Sequence, residues 1–147
     1  MLIGRGRSIA VAVGHSRGQS DTLESAISLG ESLEAELLAI HVVDVKDYPI
    51  DPDAMDYEKV GRASYAVTAD HVATRLKDYP YGWRWIVTKG SVHQKIVEVA
   101  KEQNCQLIIV GTDLQSSTKG TLQRVHTTMA GKVTALSAIP VLIVPRK

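Results

Sequence analysis

A chain of 147 residues, 44% of them hydrophobic, is expected to fold as one domain over residues 1–147 with a core of its own. Its 17 basic and 16 acidic residues leave a formal charge of +1, without the basic excess that draws a protein to nucleic acid. Cys105 is the single cysteine, so no internal disulfide can form, and no apolar stretch is long enough for a signal or a bilayer; a cytoplasmic protein with no membrane partner is expected.

Taken in chain order, Ser8-Ile-Ala-Val-Ala-Val13 is an apolar, β-branched run that stops at Gly14 and predicts a buried first strand. Gly14 to Ser20 is turn chemistry. Ser20 or Asp21 then stands where a helix cap belongs, and Leu23, Ala26, Ile27, Gly30 and Leu33 share one face of that helix. A second strand is predicted from Glu36 to Val43. The stretch Val45 to Asp56, with Pro49, Pro52 and four Asp residues, reads as an exposed flap. From about Tyr57 to Leu76, Val60, Ala63, Val67, His71 and Thr74 recur at helical spacing and predict an inward face. Asp78 to Gly82 is a turn. Trp83 to Thr88 is a third strand, set at the sheet edge because one face carries Arg84, with Trp83 and Trp85 serving as edge packing or as part of an interface. Ser91 caps a helix to about Gln103 with Ile96, Val97 and Ala100 facing inward. Leu107 to Val110 is a fourth strand, beside which Cys105 reads as a buried, inert thiol. A last helix is predicted from Thr128 to Leu136, and a fifth strand from Val141 to Val144, closed off by Pro145.

This alternation predicts an α/β fold, an open five-stranded parallel sheet with helices on both faces, because parallel neighbours need crossover connections and these are right-handed. Ligands bind such sheets at the carboxyl edge, where Gly111 ends the fourth strand. The loop that follows, Gln115 to His126, carries Ser116, Ser117, Thr118, Lys119, Thr121, Arg124 and His126, a dress that suits an anion or water. The five histidines, His15, His41, His71, His93 and His126, are scattered with no pair at metal-ligand spacing, so no metal site is expected. Other chemistries of doubly wound folds lack their residues. A receiver needs acids where Gly14-His15 and Lys89-Gly90 stand, the phosphate loop of a P-loop nucleotidase is absent, the one Gly-x-Gly precedes the first strand, and no Gly-x-Ser-x-Gly exists. No catalytic residue is assigned; a hydrolase with His15 or His126 as general base would need a matched acid.

Four pieces together resemble the universal stress protein family: Ile9 to Val13 before a polar turn with Ser16, the strand end His41-Val42, the segment Gly90 to Ala100, and Leu107-Ile-Ile-Val-Gly111 paired with Pro140 to Val144. The resemblance covers nearly the whole chain. It implies a Rossmann-like sheet of order 3-2-1-4-5 and a fifth strand that pairs antiparallel with its copy. An apolar edge strand asks for such cover in any case, so a homodimer through Val141, Leu142, Ile143 and Val144 is expected.

In that family the ATP binders show a Gly, two residues, a second Gly, nine residues, then Gly followed by Ser or Thr. Here Gly111 matches the first glycine, Leu114 replaces the second, and Thr127-Thr128 stands at the last, after the twelve positions 115–126. The glycines let backbone N–H groups approach phosphates, and Leu114 obstructs that approach. The Asp with which the family's first strand usually ends is Gly14. Thr127 and Thr128 open the last helix, where they either hold a phosphate or only cap it. The residues expected at a nucleotide or anion site are thus Val13, Gly14, His15, Val42, Gly111, Asp113, Thr127 and Thr128. The expected function is a dimeric binding or regulatory module of the stress response, with an unknown protein partner and without the family's ATP motif. The alternative is an ATP- or AMP-binding member, a slow ATPase included, that uses the loop after the fourth strand and the start of the last helix.

Overall fold

Three strands are apolar at nearly every position and buried on both faces, as strands inside a parallel sheet are: β1 (Ser8–Ala12), β2 (Glu36–Val43) and β4 (Leu107–Gly111). The computed structural model of the protein describes residues 7–14, 19–43, 57–112 and 129–145. Around the three strands it places α1 (Gln19–Leu33), α2 (Tyr57–Leu76), β3 (Trp83–Lys89), α3 (Val92–Glu102), α4 (Met129–Leu136) and β5 (Val141–Val144). All strand pairs are parallel and the order is β3-β2-β1-β4-β5. The predicted fold class and strand order are therefore observed, with β3 at one edge as Arg84 suggested. The predicted flap, 45–56, lies outside the described residues.

Alternation along the strands divides the interior into two cores. Ala10, Ala12, Leu38, Ile40, Val42, Ile108 and Val110 face α3 and α4, where they meet Ile96, Val99, Ala100, Ala130 and Val133. Ile9, Val11, Leu37, Ala39 and Ile109 face the other way and meet Leu23 and Ala26 of α1 with Val72 and Leu76 of α2. Trp83 and Trp85 are half-buried against this second core, which makes them edge packing.

The structure corrects one helix start and several helix faces. Helix α1 begins at Gln19, so Ser20 and Asp21 lie inside its first turn and do not precede it as caps. Leu33, expected inward, is 43% exposed, because the chain leaves the helix there. In α2 the second half of the expected stripe is wrong: Val67 is 79% exposed and His71 and Thr74 face solvent, while Val72 and Leu76 are fully buried; the side chains of Val60 and Ala63 lie outside the described residues. The Thr74 hydroxyl returns to the Asp70 carbonyl at 2.9 Å, as a solvated helical threonine does. In α3, Val99 joins Ile96 and Ala100 in the core and Val97 is only half-buried.

Two helices end alike. Glu34 takes the left-handed conformation (φ 54°), its N–H bonds the Glu31 carbonyl at 3.2 Å, and the Ala35 N–H bonds the Gly30 carbonyl at 2.9 Å. At the end of α3, Asn104 (φ 56°) does the same, with Asn104 N–H to Lys101 O at 3.1 Å and Cys105 N–H to Ala100 O at 2.9 Å. Behind the first of these turns the Tyr79 hydroxyl donates to the Ala35 carbonyl. Burial, and then the charge of Glu31, pushes the Tyr79 pKa up to about 12, so the group stays a neutral donor.

Tyr79 has this seat because Gly30 lacks a side chain: a Cβ there would collide with Tyr79 Oη and stand 3.1 Å from Leu37 Cδ2. Gly30→Ala is expected to cost about 1–3 kcal/mol by overpacking, and Tyr79→Phe about 1–3 kcal/mol by leaving the Ala35 carbonyl without its donor. In the double variant part of the collision disappears, so urea denaturation should give a loss smaller than the sum of the two. Strict additivity would show that the two residues do not compete for the same space.

Candidate functional site

The crossover β1–α1–β2 moves the chain toward one edge of the sheet, and β3–α3–β4 carries it back past β1, so the direction reverses between β1 and β4. In open parallel sheets such a reversal marks the carboxyl edge at which ligands usually bind. Of the expected site residues, Val13 and Gly14 follow β1, Val42 lies near the end of β2 and Gly111 ends β4, so the topology brings all four to this edge. Val13, Val42 and Gly111 are buried. His15, Asp113, Thr127 and Thr128 lie outside the described residues, as do Leu114 and residues 115–126.

Each strand end here is tied to its neighbour. The Val13 N–H bonds the Ile40 carbonyl at 2.8 Å, the Gly90 N–H bonds Val43 O at 3.0 Å and the Thr112 N–H bonds Val144 O at 3.0 Å. The Val13 carbonyl accepts from Nδ1 of His41 at 2.7 Å, which fixes that nitrogen as the protonated one. His41 is 1% exposed and lies flat on Trp85, with ring centroids 5.9 Å apart and planes 11° from parallel. His41 is thus a packed, hydrogen-bonded residue of the core, with Trp85 as a partner that sequence reading did not name.

The starts of α3 and α4 bring a hydroxyl, an imidazole and one ammonium group near this edge. Ser91 occupies the N-cap position of α3, yet its hydroxyl does not cap the helix and lies 3.3 Å from Nδ1 of His93. Neither α3 nor α4 has an acidic residue in its first turn, and Lys132 near the start of α4 faces His93. Burial, followed by that ammonium, holds the His93 pKa below its ordinary 6.5, so the imidazole is neutral at neutral pH. Sequence reading treated Ser91 only as a cap, weighed His93 only as a metal ligand and did not single out Lys132; the available signal was that both helices follow strands whose carboxyl ends lie at this edge.

Among the described residues no group of three or more His, Cys, Asp or Glu side chains could hold a metal ion. No described helix is long and apolar enough to cross a membrane. Cys105 is buried beside the amino end of β4, away from this edge, and burial pushes its thiol up to about 11. It is a packed, protonated group, as expected, and no nucleophile.

The family model described as the universal stress protein family matches residues 6–145. Solved structures of the same shape include the universal stress protein UspA from Lactobacillus plantarum, 19% identical, with a TM-score of 0.77 over 95% of this chain and 98% of that one. A universal stress protein in complex with cAMP is 19% identical, with a TM-score of 0.72 over 96% and 98% of the two chains. The universal stress protein from Archaeoglobus fulgidus in complex with dAMP is 15% identical, with a TM-score of 0.67 over 93% and 96%. At these identities the likeness concerns the fold. No curated protein matches the chain by sequence.

NMR titration of the His93 ring should give a midpoint below 6.5, moving upward in Lys132→Gln as one opposing charge is removed. The unfolded chain then binds this proton at higher pH than the folded one. The stability that His93 contributes is complete above 6.5 and is lost as pH falls through that value toward the folded midpoint. A midpoint at or above 6.5 would mean that His93 is solvated and not held between α3 and α4.

Proposed function

The chain belongs to the universal stress protein family, and we propose that within it the protein is a dimeric binding module whose sheet edge takes a nucleoside monophosphate and not a triphosphate. The observation that carries this reading is the meeting, at one switch point, of uncharged strand ends with two helix starts that hold no acid. Val13, Gly14, His15, Val42, Gly111 and Asp113 would border the base and ribose. One phosphate would rest against the start of α4 at Thr127 and Thr128, where N–H groups and the helix dipole favour an anion. Further phosphates would have no comparable seat, because Leu114 and Thr127 replace the glycines that let a backbone close around them. That two proteins of this fold are complexed with cAMP and dAMP, both monophosphates, supports the same ligand class.

A thermal-shift titration with AMP, cyclic AMP, ADP and ATP, with and without Mg²⁺, tests the proposal. AMP or cyclic AMP at a hundredfold excess over Kd should stabilise by about 2.7 kcal/mol, a rise in Tm of roughly 5–10 °C for a chain of this size. ATP should do no better. Much tighter binding of ATP with Mg²⁺, and its slow turnover, would replace this reading with that of an ATP-binding member. A flat response to all four would leave a protein partner as the ligand.

The dimer would form through β5, an edge strand on which Leu142 is 40% exposed while Val141 and Ile143 pack against the first core. Leu142→Glu should leave the subunit folded and shift light-scattering mass from dimer to monomer, because each copy would bury a charge against the other. An unchanged dimer would move the interface elsewhere.

A further inference from the structure

We propose that His41 is a positioning residue for the nucleotide crevice, holding the end of β1 through the Val13 carbonyl; this deepens the nucleotide reading above and rests on it. Strand β1 pairs with β2 as far as Ala12 opposite Ile40, and the chain must then leave the sheet toward Gly14. Val13 is the last residue whose position the sheet can dictate. It is held at both of its polar groups by β2, its N–H by the Ile40 carbonyl and its carbonyl by the His41 imidazole. A backbone carbonyl at a strand end usually goes to water or to the next ladder bond. Here a side chain that is 99% shielded from solvent is spent on it, and polar groups so deeply buried are costly unless their bond is made.

The ring of His41 is itself aimed by contact. It lies almost parallel to the Trp85 indole, and Trp85 is fixed on β3 in register with Ala39 of β2. The hold on Val13 therefore passes through three adjacent strands, from β3 through β2 to β1. With Val13 clamped, Gly14 leaves the sheet from a fixed point, and a ligand that touches Val13 or Gly14 does not have to order them on binding. Without the clamp the sheet would still form, since β1 keeps its ladder bonds from Ser8 to Ala12. The predicted loss is one of affinity, beyond any loss of stability.

Two variants separate the bond from the packing. His41→Phe keeps a flat ring against Trp85 and removes the donor; His41→Asn gives up the ring and places an amide N–H close to where Nδ1–H stood. The expected result for Phe is about tenfold weaker AMP binding and faster hydrogen exchange at the Val13 amide, the loss that one unmade buried hydrogen bond implies. The Asn variant should bind AMP within about threefold of the parent despite altered Trp85 fluorescence. The reverse pattern, with Phe retaining affinity and Asn losing it, would reduce His41 to core packing and overturn the proposal. Two arms do not depend on nucleotide. Nitrogen-15 spectra of the unliganded parent should show the Nδ1-protonated ring, and a bare Nδ1 would overturn the proposal even if a variant failed to fold. If the parent binds no AMP, the nucleotide reading fails by itself; faster Val13 exchange in the Phe variant would then still support the clamp, and unchanged exchange would refute it.

Discussion

Strand β1 has dry surroundings on every side, and the rest of the molecule is arranged to make that tolerable. Its residues from Ile9 to Ala12 are buried by α1 and α2 on one face and by α3 and α4 on the other, so no water reaches its N–H and C=O groups. They must be satisfied sideways, by β2 on one side and β4 on the other. A first strand with a partner on each side can be built only if the chain goes one way and later returns past it. The reversal of direction beside β1 is thus a by-product of completing the hydrogen bonds of the central strand.

The two ends of the sheet answer to different demands. At the amino end the Arg84 guanidinium meets the Glu36 carboxylate at 3.2 Å, Ser8 adds a 3.4 Å contact to the same carboxylate, and the Tyr79 hydroxyl seals the turn into β2. Charges are matched there and polar groups are occupied by protein. The carboxyl end has fixed backbone ends and a cationic flank without an acid in the first turns of α3 and α4. Such an end has electrostatic work left over for an anion, which the other end has not.

The strands were legible in the sequence because burial on both faces writes an almost unbroken apolar run, and Gly14, Gly90 and Pro145 punctuate it. Helix faces were less so. Helix α2 offers two stripes of similar polarity, one through Val67 and His71 and one through Val72 and Leu76, and only the position of the sheet decides between them. The left-handed helix ends at Glu34 and Asn104 carry no glycine, so the usual stop signal was missing. At the site, Val13, Gly14, Val42 and Gly111 could be placed from strand ends alone. The bond from His41 to Val13 could not, since it spans 28 positions and exists only once the β1–β2 register is set.

The matched left-handed endings of α1 and α3 also bear on how such a chain can vary in length. Helix α1 is handed to β2 through Glu34 and Ala35 alone, with Ala35 bonded back to Gly30 and Glu36 N–H already bonded to the Arg7 carbonyl. An inserted residue there would turn Leu37 and Leu38 to the opposite faces and break both cores at once. At the opposite edge one described link is as tight: β3 ends at Lys89, α3 starts at Val92, and the Gly90 N–H is bonded to the Val43 carbonyl. A change of length would be costly at either of these short, hydrogen-bonded links. Variation in length within this scaffold is thus left to the longer connections between its elements.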